Sequence, residues 1–236
     1  MKTISVLLAD DHMVVRQGLH SLLSGEADIN VVGEASNGRQ AVEMAHQLKP
    51  NIIVMDLAMP QLNGMEAARQ IISDGLPSKV LILSSYDDDE YVRQLTEAGA
   101  SGYLIKQTAA TDLIKAVREA SRENVFISPS IAKRLRDSTR AIGADGRPSR
   151  RRVKSLTSRE LEVLQLIAEG HLNKQIAGVL GISIKTVEKH RQHLMNKLNI
   201  HEIAGLTRYA IAHGIVENRG SILETAGCSI APMAPP

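Results

Sequence analysis

One stretch constrains this chain more than any other: Asn51-Ile52-Ile53-Val54-Met55-Asp56-Leu57-Ala58-Met59-Pro60, with Gly64 close behind. An apolar run of this length, rich in β-branched residues and bounded by turn residues, reads as a buried central strand. Asp56 then falls at the strand's carboxyl end, where open α/β sheets keep their ligand sites. Taken alone, Asp56 would read by default as a solvated loop aspartate. The flanking segments decide the matter.

Ile4–Ala9 predicts a first strand that ends in Asp10-Asp11, followed by a helix carrying Val14, Val15, Leu19, Leu22 and Leu23. Ile29–Gly33 predicts a second strand. Asn37-Gly38 opens a helix with Ala41, Val42, Met44, Ala45 and Leu48. It stops at Lys49-Pro50, because proline disfavours helical geometry in the residue before it. After the central strand the pattern predicts a helix from Gly64 to Ser73, a strand Lys79–Ser84 and a helix Asp88–Ala98. A strand Ser101–Ile105 and a helix Thr108–Glu123 complete the series.

Five strands alternating with five helices predict an α/β fold, a doubly wound five-stranded parallel sheet. Right-handed crossovers bring the carboxyl ends of the strands to one edge. Asp10, Asp11, Asp56, Ser84 and Lys106 therefore gather there. Two acids beside a third suit a hard divalent cation with oxygen ligands, Mg²⁺ above all. A carboxylate can accept a phosphoryl group when such a cation offsets the charges. Lys106 offers a cationic partner for the phosphoryl oxygens and Ser84 a hydroxyl donor, so the chemistry is positioning and charge neutralisation. Asp10 and Asp11 would also serve as caps of the first helix, and Lys106 as a solvated loop lysine.

These residues resemble the receiver domain of bacterial response regulators, a flavodoxin-like fold, over residues 2–124. The resemblance rests on Asp10-Asp11, Asp56 with Met59-Pro60 and Gly64, Ser84, and Tyr103-Leu104-Ile105-Lys106. It implies that Asp56 is the phosphoacceptor, that Asp11 ligates Mg²⁺ with Asp10 nearby, and that the Ala58 carbonyl is a further ligand. It implies also that Ser84 and Tyr103 form a switch pair, Ser84 moving to the phosphoryl group and Tyr103 rotating inward behind it. Gln107 and Ala58 depart from the common family pattern, at positions expected to tune phosphoryl lifetime.

Charge divides the 236 residues unevenly. The first 124 carry 11 Lys/Arg against 17 Asp/Glu, and the remainder 17 against 9. A basic second half points toward nucleic acid. Residues 125–155 read as a linker with one short helix at Ile131–Ser138; from Thr139 the segment is Gly-, Pro-, Ser- and Arg-rich and too poor in apolar residues to order itself. Its arginines suit either solvent or DNA phosphates. No stretch of about 18 apolar residues occurs, so no membrane span is expected. With no signal-peptide pattern before the first strand, and Cys228 as the only cysteine, a reducing compartment such as the bacterial cytoplasm is expected.

Residues 156–217 predict four helices. Thr157 and Glu160 are spaced as a capping box ahead of Leu161, Val163, Leu164, Leu166, Ile167 and Ala168. Asn173–Leu180 forms a second helix, Gly181-Ile182-Ser183 a tight turn, Ile184–Leu198 a third helix and Glu202–His213 a fourth. Two helices joined by such a turn are the helix-turn-helix plan, whose second helix enters the major groove. A plain four-helix scaffold with a solvated polar face is the alternative. Leu156–Leu164, Asn173–Ala177 and Ser183–His190 are similar to the LuxR-type DNA-binding domain, and the chain as a whole to NarL/FixJ family response regulators. That similarity implies Glu188, Lys189 and Gln192 as base-facing residues, and Lys174, Lys185, Thr186 and Arg191 as phosphate-facing ones. It also implies a homodimer in the phosphorylated or DNA-bound state, a sensor histidine kinase as phosphoryl donor, and double-stranded promoter half-sites as ligand. Residues 218–236 fall outside it and are expected to be disordered.

The expected function is phosphorylation-controlled, sequence-specific DNA binding and transcription regulation, and no enzyme is expected. The alternative is an atypical regulator that binds DNA without phosphorylation. An aspartyl-phosphate hydrolase would need a second acid two residues after Asp56, where Ala58 stands. An RNA-binding antiterminator does not agree with a helix-turn-helix.

Overall fold

The computed structural model describes residues 3–84, 99–128, 131–132 and 156–216. The anticipated helix Asp88–Ala98, nearly all of the linker and the tail with Cys228 lie outside the described residues. Six strands, β1 (Ile4–Ala9), β2 (Ile29–Ala35), β3 (Ile52–Asp56), β4 (Lys79–Ser84), β5 (Gly102–Ile105) and β6 (Phe126–Ile127), form one sheet. Its order is β2-β1-β3-β4-β5-β6, and every pairing is parallel. The expectation of five strands was one short. Glu123 takes a left-handed turn (φ 66°) after the helix Ala109–Ser121, and Phe126 and Ile127 then pair with Gly102 and Tyr103. Two residues are too few to show strand periodicity in a sequence.

Helices α1 (Met13–Ser24), α2 (Gly38–Leu48), α3 (Gly64–Ser73) and α4 (Ala109–Ser121) cover the sheet. The period-two alternation of each strand feeds both faces. Leu7, Ile53, Met55, Val80 and Ile82 meet Ala41, Ala45, Ala67, Ala68 and Ile71 of α2 and α3 on one side. Val6, Leu8, Ile52, Val54, Leu81 and Leu83 meet Leu19, Leu23, Leu113 and Val117 of α1 and α4 on the other. Burial on both faces explains why β3 reads as a continuous apolar run.

The caps follow from residue chemistry. Asn37 and Asn63 accept from the backbone N–H of Gln40 and Glu66 and so start α2 and α3. Gly64 allows α3 to begin against the end of β3: its N–H donates to the Leu57 carbonyl at 2.8 Å, and a Cβ there would lie 1.9 Å from the Asp56 carbonyl oxygen.

A separate helical core follows, built from α5 (Ser158–Ala168), α6 (Asn173–Leu180), α7 (Ile184–Leu198) and α8 (Ile203–Ala212). Val163, Leu164, Leu166, Ile167, Ile176, Leu180, Val187, Leu194 and Leu206 fill it. The expected capping box is present, with Thr157 N–H donating to Glu160 at 2.8 Å and Glu160 N–H to Thr157 Oγ1 at 3.3 Å. Gly181 takes the left-handed turn between α6 and α7 (φ 63°), and Ser183 caps α7 through the Thr186 N–H.

Because no side-chain rearrangement can make room for a Cβ against the Asp56 carbonyl, Gly64→Ala should displace the start of α3. A loss of about 3 kcal/mol in unfolding free energy is expected, as for an overpacked core, with a lower thermal midpoint in circular dichroism.

Candidate functional site

Four strand ends set the site. β1 runs into Asp10 and Asp11, β3 ends at Asp56, β4 at Ser84, and β5 leads into Lys106 on a single 3₁₀ turn (Lys106–Thr108). Asp10, Asp56 and Ser84 are buried (at most 2% exposed). Lys106 Nζ lies 2.8 Å from Asp56 Oδ2 and 2.9 Å from Asp10 Oδ2, so one ammonium bridges two carboxylates. Asp10 Oδ1 accepts the His12 backbone N–H at 2.8 Å and thereby also secures the entry to α1. His12, not Asp10 or Asp11, stands at the N-cap of α1, and no side chain caps that helix.

The electrostatics follow from burial. Removal from water pushes the Asp56 carboxyl up to about 6; Lys106 opposes this, the Asp10 charge adds to it, and the Ala58 backbone N–H opposes it. Burial would lower Lys106, yet its carboxylate neighbours outweigh that and hold it above the ordinary lysine value. Three carboxylates with one ammonium leave a local excess of negative charge. Asp10, Asp11, His12 and Asp56 each offer a ligand atom, all within 4.8 Å of one another. Asp10 Oδ2 and Asp56 Oδ2 are buried, with Lys106 as the charge partner of both. This excess of hard oxygen donors fits a divalent cation. Tyr103, expected to rotate inward, is already buried at 3% exposure beside Ile127 of β6.

The residues singled out for DNA lie on α6 and α7. Lys174, Lys185, Glu188, Lys189 and Gln192 are exposed, while Thr186 and Arg191 are half-buried. The Thr186 hydroxyl meets Ser183 Oγ at 2.8 Å, and Arg191 donates to Asn173 on α6. Lys197 of α7 holds Glu160 of α5 at 2.7 Å. Burial would raise the Glu160 carboxyl, but Lys197 and the Thr157 cap hold it below its ordinary value.

A second set of residues was not anticipated. Helix α5 docks on the loop that follows Asp56. Gln165, 1% exposed, donates to the Met59 carbonyl at 2.9 Å and accepts from the Asn63 N–H at 2.8 Å. Glu169 accepts the Gln61 N–H at 3.0 Å, where Gln61 sits in the left-handed region (φ 66°) that disfavours a side-chain-bearing residue. Glu162 accepts from Arg39 of α2 (2.6 Å), Gln70 of α3 (3.0 Å) and Arg159 of its own helix (2.8 Å). Arg159 also reaches the Leu180 carbonyl at the end of α6. A signal existed: a glutamine inside the apolar run Val163–Ile167 must be matched by hydrogen bonds if buried.

Known proteins match both parts. Residues 6–118 fit the response regulator receiver domain and residues 154–210 the bacterial regulatory proteins, luxR family. The response regulator protein VraR of Staphylococcus aureus is 38% identical over 215 residues, covering 91% of this chain and all of VraR. A structure of the Salmonella typhimurium RcsB response regulator is 27% identical with a TM-score of 0.56, covering 90% of this chain and all of that one. The receiver domain of a putative response regulator NarL from Mycobacterium tuberculosis is 34% identical with a TM-score of 0.50, covering 52% of this chain and 98% of that one.

The raised Asp56 value fixes a pH dependence in cation-free protein. Below about pH 4 Asp56 is protonated in both folded and unfolded states, and between about 4 and 6 only the unfolded state ionises freely. Burial of Asp56 therefore becomes a penalty as pH rises through that window and stays constant above it. In chelator, Asp56→Asn should gain stability relative to wild type across pH 4 to 6, measured by denaturant unfolding; an unchanging difference would contradict the assignment.

Proposed function

Because the chain is a response regulator of the NarL/FixJ type, with a receiver domain and a luxR-family DNA-binding domain, we propose that Asp56 is its phosphoacceptor and that phosphorylation there controls DNA binding. The observation that carries this is the buried Asp56 carboxylate bridged by Lys106 to Asp10. The Asp56 oxygen attacks phosphorus, the bond from phosphorus to the donor breaks, and the leaving group keeps its electron pair. A sensor histidine kinase is the proposed donor. Asp11, Asp56 and the Ala58 carbonyl, with Asp10 beside them, would hold Mg²⁺. When bound, that ion supplies charge neutralisation between carboxylate and phosphoryl oxygens. Lys106 then pairs a phosphoryl oxygen and Ser84 donates its hydroxyl to another, with Tyr103 packed behind. The chain modifies itself and acts on no further substrate; we place it in the cytoplasm, and no described helix is long and apolar enough to cross a membrane.

Coupling to DNA runs through the loop after Asp56. Arg39, Gln61, Asn63, Gln70 and Gln165 donate across the docking of α5. At roughly 0.5–1.5 kcal/mol net each, these contacts total a few kcal/mol. A switch from 1:99 to 99:1 needs about 5.5 kcal/mol, so docking of this strength is commensurate with release by a change of the loop. The freed domains pair, and two copies place Glu188, Lys189 and Gln192 on base edges and Lys174, Lys185, Thr186 and Arg191 on phosphates of paired half-sites.

A second reading has its own support. Lys185, Glu188, Lys189 and Gln192 are exposed in the docked form, so unmodified protein that binds DNA equally well is the competing outcome. Two measurements decide. Intact mass after incubation with a small phosphoryl donor and Mg²⁺ should show one phosphoryl adduct, absent in Asp56→Asn and without Mg²⁺. Fluorescence anisotropy on a promoter duplex at fixed salt should show tighter binding by phosphorylated protein, and equal affinities would leave only the phosphorylation-independent regulator. Gln165→Ala, which removes both loop contacts, should raise the affinity of unmodified protein toward that of the phosphorylated form.

A further inference from the structure

Helix α3 starts on a capping box that is only half made. Asn63 is its N-cap, and Asn63 Oδ1 accepts the Glu66 N–H at 2.9 Å. Glu66 stands at the third helical position, from which a glutamate side chain ordinarily reaches back to the N-cap N–H. That N–H is already given to Gln165 of α5, at 2.8 Å. Glu66 is only 2% exposed, and among the described residues neither of its carboxyl oxygens has a hydrogen-bond partner. Arg69 Nη1 lies 3.7 Å from Glu66 Oε2, beyond hydrogen-bond reach. A buried polar group left in this way is costly and calls for an explanation.

The same chain shows the closed form of the box. Thr157 has φ −69° and ψ 157°, Asn63 has φ −67° and ψ 157°, and at Thr157 the N-cap N–H donates to Glu160 at 2.8 Å. At α6 the Leu172 N–H (φ −76°, ψ 156°) donates likewise to Gln175, also at 2.8 Å. The Asn63 backbone is therefore already set for closure, and Gln165 is what occupies the donor. We propose that Glu66 and Gln165 compete for the Asn63 N–H, which makes Glu66 a positioning residue that favours release of α5. In the docked form Gln165 holds the N–H and Glu66 goes without. On release Glu66 takes the N–H, so the start of α3 is capped in both forms and undocking leaves no backbone donor unmatched. The inference rests on the proposed release of α5 from the loop after Asp56 and names the residue that replaces it. A Glu66 that serves only the packing of α3 is the competing account.

Amide hydrogen exchange at Asn63, followed by NMR of the full chain, reads the competition directly. Gln165→Ala should leave Asn63 protected, because Glu66 replaces the lost acceptor, and Glu66→Met should leave it protected through Gln165. The double variant should exchange about 5-fold faster or more, the loss of one net hydrogen bond. Glu66→Gln combined with Gln165→Ala should restore protection, its amide oxygen acting as Gln175 does at Leu172. Fluorescence anisotropy on a promoter duplex then reads the consequence for unmodified protein. Glu66→Met should weaken binding about 5-fold when Gln165 is present and less than about 2-fold in Gln165→Ala. Lost protection in Gln165→Ala alone, protection that survives in the double variant, or an equal effect of Glu66→Met in both backgrounds would each overturn the competition. The expected exchange pattern with unchanged DNA affinities would instead overturn the reading that docking of α5 restrains DNA binding.

Discussion

A single ammonium group makes the rest of the structure possible. Parallel strands bring their carboxyl ends together, and in this chain that places Asp10, Asp11 and Asp56 at one edge. Carboxylates so close in a dry site repel one another, and the fold tolerates them because Lys106 touches both buried partners. β5 and the 3₁₀ turn deliver that lysine to the edge. The residual negative charge is what suits the pocket to the proposed cation and, through it, to a phosphoryl group.

From this point the molecule reads as two cores joined by a polar contact. The sheet and its helices are closed by apolar burial on both faces, and the helical domain has a core of its own. Among the described residues, hydrogen bonds and ion pairs around Glu162, Gln165 and Glu169 link them. Apolar burial of a similar area would be hard to undo; a polar contact can be exchanged for water at small net cost. Such a joint suits a molecule that must hold one arrangement at rest and leave it on command.

Much of this was legible in the sequence. The Ile52–Asp56 run, the Thr157–Glu160 spacing and the Gly181–Ser183 turn each carry a local physical signal, and each appears where that signal points. What stayed hidden depends on distance or brevity. Strand β6 is two residues long, and only pairing with Gly102 and Tyr103 makes it a strand. Glu162, Gln165 and Glu169 find their partners about 90 to 125 residues away, information no window of neighbouring residues contains. Gln165 advertised only that some partner had to exist.

The contacts of Gln165 and Glu169 go to main-chain groups: the Met59 carbonyl and the N–H groups of Gln61 and Asn63. Every residue there offers the same carbonyl, and all but proline the same N–H. Side chains along this loop can therefore drift over evolutionary time without erasing the contact, provided the curve of the backbone is kept. A one-residue insertion or deletion would shift every partner at once. Apart from Gln61, whose backbone is left-handed, and Asn63, which caps α3, the joint should thus be indifferent to spelling in this segment and intolerant of any change in its length.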